Sequence, residues 1–422
     1  MNVDWIVHNA REVVTLAGPA RPRSGSEQGE LGLIEDGAIA VKGDRIVAIG
    51  PSGEILRDHV TAPEHCLDAE GGVVLPGFVD PHTHLVFAGT REREFAMRCA
   101  GQSYLEIAAA GGGIRSSVRA FRSASDDDIL RQSRRRLDRM LAFGTTTAEV
   151  KSGYGLDSEQ ELRALRLIEQ LDREHPVDLV STFLGAHEFP DEYREDRAAY
   201  VELVAEKMLP RVAAETQARF CDVFCEQGVF DRDETETILR AAQRLGLGLK
   251  VHADEFAPIG GAELAGELRA ISADHLLVTT DAGRRALRDG GVIAVLLPGT
   301  CFSLGKHAYA NARKMIEEGI PVALGTDCNP GSSMVDSMPL VLALACLEMG
   351  LSPAEVVTGA TVNAAFATGV GADRGRLEPG LRADFQVLAA PSYISLVYHL
   401  GGSHVRWVWK DGRRVLSAGD AA

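Results

Sequence analysis

Four stretches of this 422-residue chain end an apolar run on residues that bind metals or move protons. They are Asp80-Pro81-His82-Thr83-His84, Lys250-Val251-His252-Ala253-Asp254-Glu255, Ala273-Asp274-His275 and Gly325-Thr326-Asp327. Side chains two apart on a strand point the same way, so His82 and His84 can aim at one point. Neutral imidazoles suit a first-row ion such as zinc or iron. His-x-His alone is a weak signal, because two histidines in a polar loop are spelled the same way. Convergence carries the reading: His82, His84, His252 and Asp327 are expected to hold one ion with a position open for water, whose pKa that ion would lower toward neutrality. An aspartate after Gly-Thr also serves as a cap, but its place opposite His-x-His favours the ligand role. His275 is expected outside the ligand set, orienting the water or meeting a developing oxyanion; a core histidine bonded to backbone is its rival. Glu255, just past a strand end, is placed to carry a proton to a leaving nitrogen, and Asp327 to take one from water and then, as the alternative to Glu255, to deliver one to that nitrogen. Barrel hydrolases that hold two ions usually place a lysine or other ligand at the fourth strand. Asp222-Val223-Phe224-Cys225-Glu226-Gln227 has no lysine, and Lys151 falls after the second run, so one divalent or trivalent ion is expected.

Eight short apolar runs must present these ends: Val73–Asp80, Thr145–Lys151, Leu179–His187, Cys221–Glu226, Leu249–Asp254, Ser272–Leu276, Val292–Pro298 and Val322–Asp327. Amphipathic helices lie between several of them. Ser158-Glu159-Gln160-Glu161 and Asp233–Glu236 read as capping boxes, and Ser352-Pro353-Ala354-Glu355 joins an N-cap, a first-turn proline and a third-position glutamate. Parallel strands need crossover helices, so the alternation predicts an α/β fold with a (β/α)8 TIM-like barrel over residues 73–371 and its site at the strand C-termini. An open doubly wound sheet is the rival. Both ends of the chain read as short strands, with Lys42-Gly43-Asp44-Arg45 and Lys410-Asp411-Gly412-Arg413 as hairpin turns. They predict a small β-sandwich domain built from residues 1–72 and 372–422. Pro19–Glu30, rich in Pro, Gly, Ser and charge, reads as a surface loop of that domain away from the site, and Leu85–Ser125 as a loop covering substrate.

A formal net charge of −16 argues against a nucleic-acid or anionic-membrane partner, since phosphate contacts need a basic surface. The seven cysteines show no disulfide or thiolate-zinc spacing, Cys221 and Cys225 read as small core residues, and Met1–Ala10 lacks the pattern of a signal peptide. With no apolar stretch long enough for a bilayer, the expected compartment is the reducing cytoplasm.

The phrase Leu75-Pro76-Gly77-Phe78-Val79-Asp80-Pro81-His82-Thr83-His84 resembles the signature of the amidohydrolase superfamily. Further motifs resemble one family within it, the imidazolonepropionases of histidine breakdown. They are Ser103-Tyr104-Leu105-Glu106-Ile107, Gly111-Gly112-Gly113-Ile114, Glu149-Val150-Lys151-Ser152-Gly153-Tyr154-Gly155-Leu156, Leu184-Gly185-Ala186-His187, Asp222–Glu226, His252-Ala253-Asp254-Glu255 and Asp327-Cys328-Asn329-Pro330-Gly331-Ser332. The likeness spans nearly the whole chain, with a longer Pro19–Glu30 segment as its one departure. It implies metal-dependent hydrolysis of 4-imidazolone-5-propanoate, a small anionic cyclic amide, to N-formimino-L-glutamate, and a homodimer. It places Arg91, Tyr104, Tyr154, His187 and Glu255 around the substrate, Arg91 as a fork for the propionate, with Asn329, Gly331 and Ser332 on the far side. Against Arg91 stands its setting in a charge run with Glu92, Arg93 and Glu94. Two rivals stand beside it. Another cyclic amidohydrolase or nucleobase deaminase of the same superfamily would share the metal set, but Arg91 and the Tyr154 and His187 motifs argue against it. A non-catalytic binding protein would be expected to lose ligands.

Overall fold

In the computed structural model, which describes residues 1–102, 106 and 111–417, eight parallel strands follow one another in chain order. They are β1 (Phe78–Asp80), β2 (Thr145–Lys151), β3 (Asp178–Ala186), β4 (Phe220–Cys225), β5 (Gly248–Ala253), β6 (Ser272–His275), β7 (Ile293–Leu296) and β8 (Val322–Leu324). The ring closes just beyond β1 and β8. Thr83 and Cys328 form a parallel bridge, His84 N–H donates to Cys328 O at 3.0 Å, and Asp327 N–H donates to His82 O at 3.0 Å. Below that seam the buried Asp80 carboxylate accepts from Thr326 N–H at 3.1 Å and from its hydroxyl at 2.6 Å. An open sheet would leave two free edges, so the doubly wound rival is excluded and the chain is a TIM-like barrel.

The helices show where local sequence and outcome part. Ser352 and Glu355 make the expected capping box. The other two boxes shift. Asp231 and Glu234 cap the helix Arg232–Arg244, and Asp157, one residue before Ser158, caps Ser158–Glu174. Glu161 is thereby freed from capping. It turns inward, and its carboxylate accepts from Gly153, Gly155 and Leu156 N–H at 2.8–3.2 Å. Leu85–Ser125 is not a plain loop: it carries the helices Glu92–Cys99 and Ile114–Ser123.

The termini build one eight-stranded mixed sheet, five strands from the N-terminal segment and three from the C-terminal one. Both expected hairpins are present, with Lys42 paired to Arg45 and Lys410 to Arg413. Asp411 and Gly412 take φ of 48° and 71°, the left-handed pair that a two-residue turn requires. The run Val73–Asp80 is two strands. Val73–Pro76 pairs between Trp5–Val14 and Phe385–Leu388 in this sheet, and only Phe78–Asp80 enters the barrel. Trp5 and Trp409 lie three strand spacings apart, about 14 Å on a flat sheet, yet their rings meet at 5.8 Å. The sheet is rolled over its apolar face, closing the small sandwich.

Pro19–Glu30 is not the solvated loop its composition suggests. A 3-10 turn at Gly25–Gly29 carries Gln28 into the base of the barrel. Its amide donates to Val322 O at 3.0 Å and to Glu355 O at 3.3 Å, and accepts from Val322 N–H at 3.2 Å. Arg23 N–H donates to Asn363 Oδ1 at 2.8 Å, and the Asn363 amide returns a bond to Arg23 O at 2.9 Å. The segment thus fastens the terminal domain to the start of β8, at the barrel end opposite the strand C-termini. Gln28→Ala would leave the buried Val322 N–H without its partner, while Val322 O keeps the Asn363 amide and Glu355 O keeps the Gly359 N–H; an unpaired buried group costs about 1–3 kcal/mol. Urea unfolding is expected to show a loss of at least about 1 kcal/mol, and an unchanged midpoint would contradict the fastening role.

Candidate metal centre and active site

His82 and His84 follow β1 on extended backbone, His252 lies within β5, and Asp327 follows β8. Barrel geometry brings these three strand ends to one mouth. His82 Nε2 lies 3.2 Å from His84 Nε2, and His84 Nε2 lies 3.4 Å from His252 Nε2. Asp327 Oδ1 is 3.5 Å from both His82 Nε2 and His84 Nε2. Donor atoms about 2.0–2.1 Å from a tetrahedral ion stand roughly 3.3–3.4 Å from each other, so the spacing fits one first-row ion. The ring tautomers support this. His82 Nδ1 lies 2.6 Å from Asp274 Oδ2, and His252 Nδ1 lies 3.0 Å from Asp222 Oδ2. With the His82 Nδ1–H bonded to Asp274 and the Asp222 carboxylate beside His252 Nδ1, the Nε2 atoms of His82 and His252 are left for the inner side, an arrangement that calls for a cation there.

Electrostatics follow burial. Burial pushes His82, His84 and His275 below the usual imidazole range, leaving neutral rings with free lone pairs. For His252, burial acts the same way, but the Asp222 charge outweighs it and raises the ring. Asp327 is pushed up to about 6 by burial, against the Thr300 hydroxyl, which donates to its Oδ2 at 2.6 Å. Beneath the ligands lies a fully buried ammonium. Lys151 Nζ is 2.8 Å from Glu149 Oε1, 2.8 Å from Asp222 Oδ2 and 3.6 Å from Asp274 Oδ2. It is therefore committed to carboxylates and stands outside the ligand set.

Above the ligands opens a cavity of about 870 Å³, within the range of small-molecule sites. Glu255, His275, Tyr154, His187, Arg91, Asn329, Gly331 and Ser332 all line it; Tyr104 lies outside the described residues. His187 stacks on His84 with centroids 5.0 Å apart, and its Nδ1 lies 3.0 Å from Gly153 O. Glu255 Oε2 is 3.7 Å from His275 Nδ1, and its carboxyl is pushed up to about 7 by burial and by the Asp327 charge. Arg91 is not part of a solvated charge run. Its Nε and Nη2 grip Glu94 at 2.9 and 2.7 Å, while Nη1 lies against the Gly331 backbone, where an added Cβ would stand 2.0 Å away. The Asn329 side chain is spent on its own turn, donating to Asp327 O at 2.7 Å and accepting from Gly331 and Ser332 N–H, both at 2.8 Å.

Sequence reasoning missed Glu149, Lys151, Asp222 and Asp274 as parts of the site. Their signal was present: charges two apart in β2, and lone aspartates inside the apolar runs of β4 and β6. It also missed Glu94, Arg98 and Lys306, whose long side chains reach the cavity from segments without a motif. Strain marks the same mouth. His275, Asp254 and Asp327 take φ of 74°, 52° and 51° at three strand ends, a backbone region that bent sites exploit.

Residues 73–415 match the amidohydrolase family. Imidazolonepropionase from Geobacillus kaustophilus is 49% identical, covering 98% of both chains. The enzyme of that name from Symbiobacterium thermophilum is 50% identical over 99% of this chain and 98% of its own. Among solved structures, an adenosine deaminase from Xanthomonas campestris with bound zinc superposes with a TM-score of 0.73 at 18% identity, covering 99% of this chain and 93% of its own. A 5-methylcytosine deaminase from Klebsiella pneumoniae reaches 0.71 at 17% identity, covering 98% of each; these two likenesses speak to the fold. Identity near one half along the entire length is of another order: the chain belongs to the imidazolonepropionases of the amidohydrolase family.

Proposed function

We propose that this protein opens the ring of 4-imidazolone-5-propanoate, adding water across its amide bond to give N-formimino-L-glutamate in histidine breakdown. The observation that carries the proposal is a cluster of His82, His84 and His252, with Asp327 Oδ1 3.5 Å from the first two, on the floor of a cavity that also presents Arg91, Tyr154 and His187. The ion is zinc or iron, either of which accepts imidazole and carboxylate; when bound, it supplies Lewis acidity and makes water a nucleophile near neutral pH.

The protein's own groups do the rest. Asp327 accepts a proton from the attacking water as its oxygen bonds to the ring carbonyl carbon. His275, neutral through burial, donates to the oxygen that gains charge. The carbon–nitrogen bond then breaks, and Glu255, whose carboxyl sits near about 7, gives its proton to the departing nitrogen. Arg91, oriented by Glu94, holds the propionate, and Tyr154 and His187 wall the ring. Asn329 shapes the turn that presents Gly331 and Ser332 on the far side.

Freshly prepared imidazolonepropanoate is expected to yield formiminoglutamate in a metal-dependent manner. Ammonia release from guanine or cytosine, with no turnover of the imidazolone, would favour the deaminase reading instead. Glu255→Gln is expected to lower kcat by about 10²–10⁴-fold with metal content unchanged, and equal loss of both would refute the proton-donor role. Because the protonated acid is the active form, the wild-type rate should decline as pH rises past about 7, a limb the Gln variant should lack. Gly331→Ala, whose Cβ displaces the Arg91 guanidinium, is expected to raise KM by about 10–100-fold, the scale of hydrogen bonds to a charged group, and to spare metal content. An unchanged KM would remove Arg91 from the propionate site.

A further inference from the structure

We infer that Lys151 is a positioning residue of the metal centre, a single ammonium that aims two of the imidazoles by clamping the carboxylate behind each. The clamp is built from three even-numbered strands, with Lys151 on β2, Asp222 on β4 and Asp274 on β6. Side chains from alternate strands fill one layer of a barrel interior, and here that layer is polar and fully buried. Asp222 Oδ2 sits between Lys151 Nζ at 2.8 Å and His252 Nδ1 at 3.0 Å, while its Oδ1 accepts from His252 N–H at 3.2 Å. Asp274 Oδ2 sits between Lys151 Nζ at 3.6 Å and His82 Nδ1 at 2.6 Å, while its Oδ1 accepts from the Ser272 hydroxyl at 2.6 Å. Two rings from different strands are thus referred to one charge, and β2 governs the site without contributing a ligand.

Two other roles for this lysine fit less well. As a carbamylated bridging ligand it would add a fourth anion to a point already ringed by Glu149, Asp222 and Asp274. As a mere counter-ion for Glu149 it would have no reason to touch the carboxylates behind both histidines. Carboxylates behind ligating imidazoles fix ring tautomer and direction. Without the ammonium, Asp222 and Asp274 face each other and Glu149 as uncompensated anions and turn from the rings they hold.

The inference rests on the ligand set proposed above but not on the substrate. Its test is a metal titration of the full-length, metal-stripped protein with zinc and with cobalt(II). The variants are Lys151→Met and the double variant Lys151→Met/Glu149→Gln, which removes one charge of each sign and so keeps the buried balance. Both variants are expected to bind zinc about 10–100-fold more weakly than wild type, the usual cost of losing support behind a ligand, with an altered visible spectrum of bound cobalt. Wild-type affinity and spectrum in the double variant would overturn the clamp and leave Lys151 as a counter-ion for Glu149. Wild-type affinity in the single variant would overturn it outright. Failure of the wild-type protein itself to bind an equivalent of metal would instead sink the ligand set.

Discussion

Imidazole lone pairs do not gather willingly. Rings aimed nitrogen to nitrogen at 3.2 and 3.4 Å are unfavourable unless a cation lies between them and each outer N–H is occupied. For two of the three rings the barrel supplies a carboxylate on that outer side, Asp274 bonded to His82 Nδ1 at 2.6 Å and Asp222 Oδ2 lying 3.0 Å from His252 Nδ1, both fully buried. Those carboxylates are costly inside a protein unless paired, which accounts for Lys151 and for the hydroxyl of Ser272. The chain of requirement runs downward, from open coordination position to ring, carboxylate and ammonium, and the layered interior is what allows three strands to satisfy it at one height.

What a reader of the sequence can see follows from this hierarchy. His82, His84, His252, His275 and Asp327 stand at the ends of apolar runs, where a change from apolar to polar announces itself, and their placement follows once eight strands are counted. Asp222 and Asp274 sit inside such runs, where a charge reads as an irregularity in a strand, and Lys151 closes the second run with no histidine beside it. Only pairing across β2, β4 and β6, which are far apart in the chain, gives them meaning. The two boxes shift for a local reason, because an aspartate just upstream takes the helix end, Asp157 before Ser158 and Asp231 before Asp233; in the first case the glutamate then turns inward, as Glu161 does to hold the Gly153–Leu156 turn. Pro19–Glu30 has the composition of a solvated loop because composition does not register that one glutamine, Gln28, finds backbone partners at β8.

The groups lining the cavity above the histidines depend on a different kind of support. The ligands are carried by strands or the residues just after them, whereas Arg91, Gly331 and Ser332 belong to connecting segments held by hydrogen bonds among themselves. Arg91 leans on Glu94, Glu94 accepts from Gly113 N–H at 3.2 Å, and Arg98 donates to Gly331 O at 3.1 Å. The triple glycine is thereby tied to the arginine through one carboxylate. A rigid floor with walls assembled from loops is how one barrel serves related hydrolases with different substrates.

The proposed ligands also straddle the place where the ring of strands closes. His82 and His84 leave the first strand, Asp327 leaves the last, and the backbone bonds that join the two run between these same residues. Nearly the whole barrel must be synthesised before the final ligand exists, so an ion cannot nucleate the early strands. An ion held by the proposed set would tie the two ends of the finished circle together, so the loaded protein is expected to unfold more slowly than the stripped one.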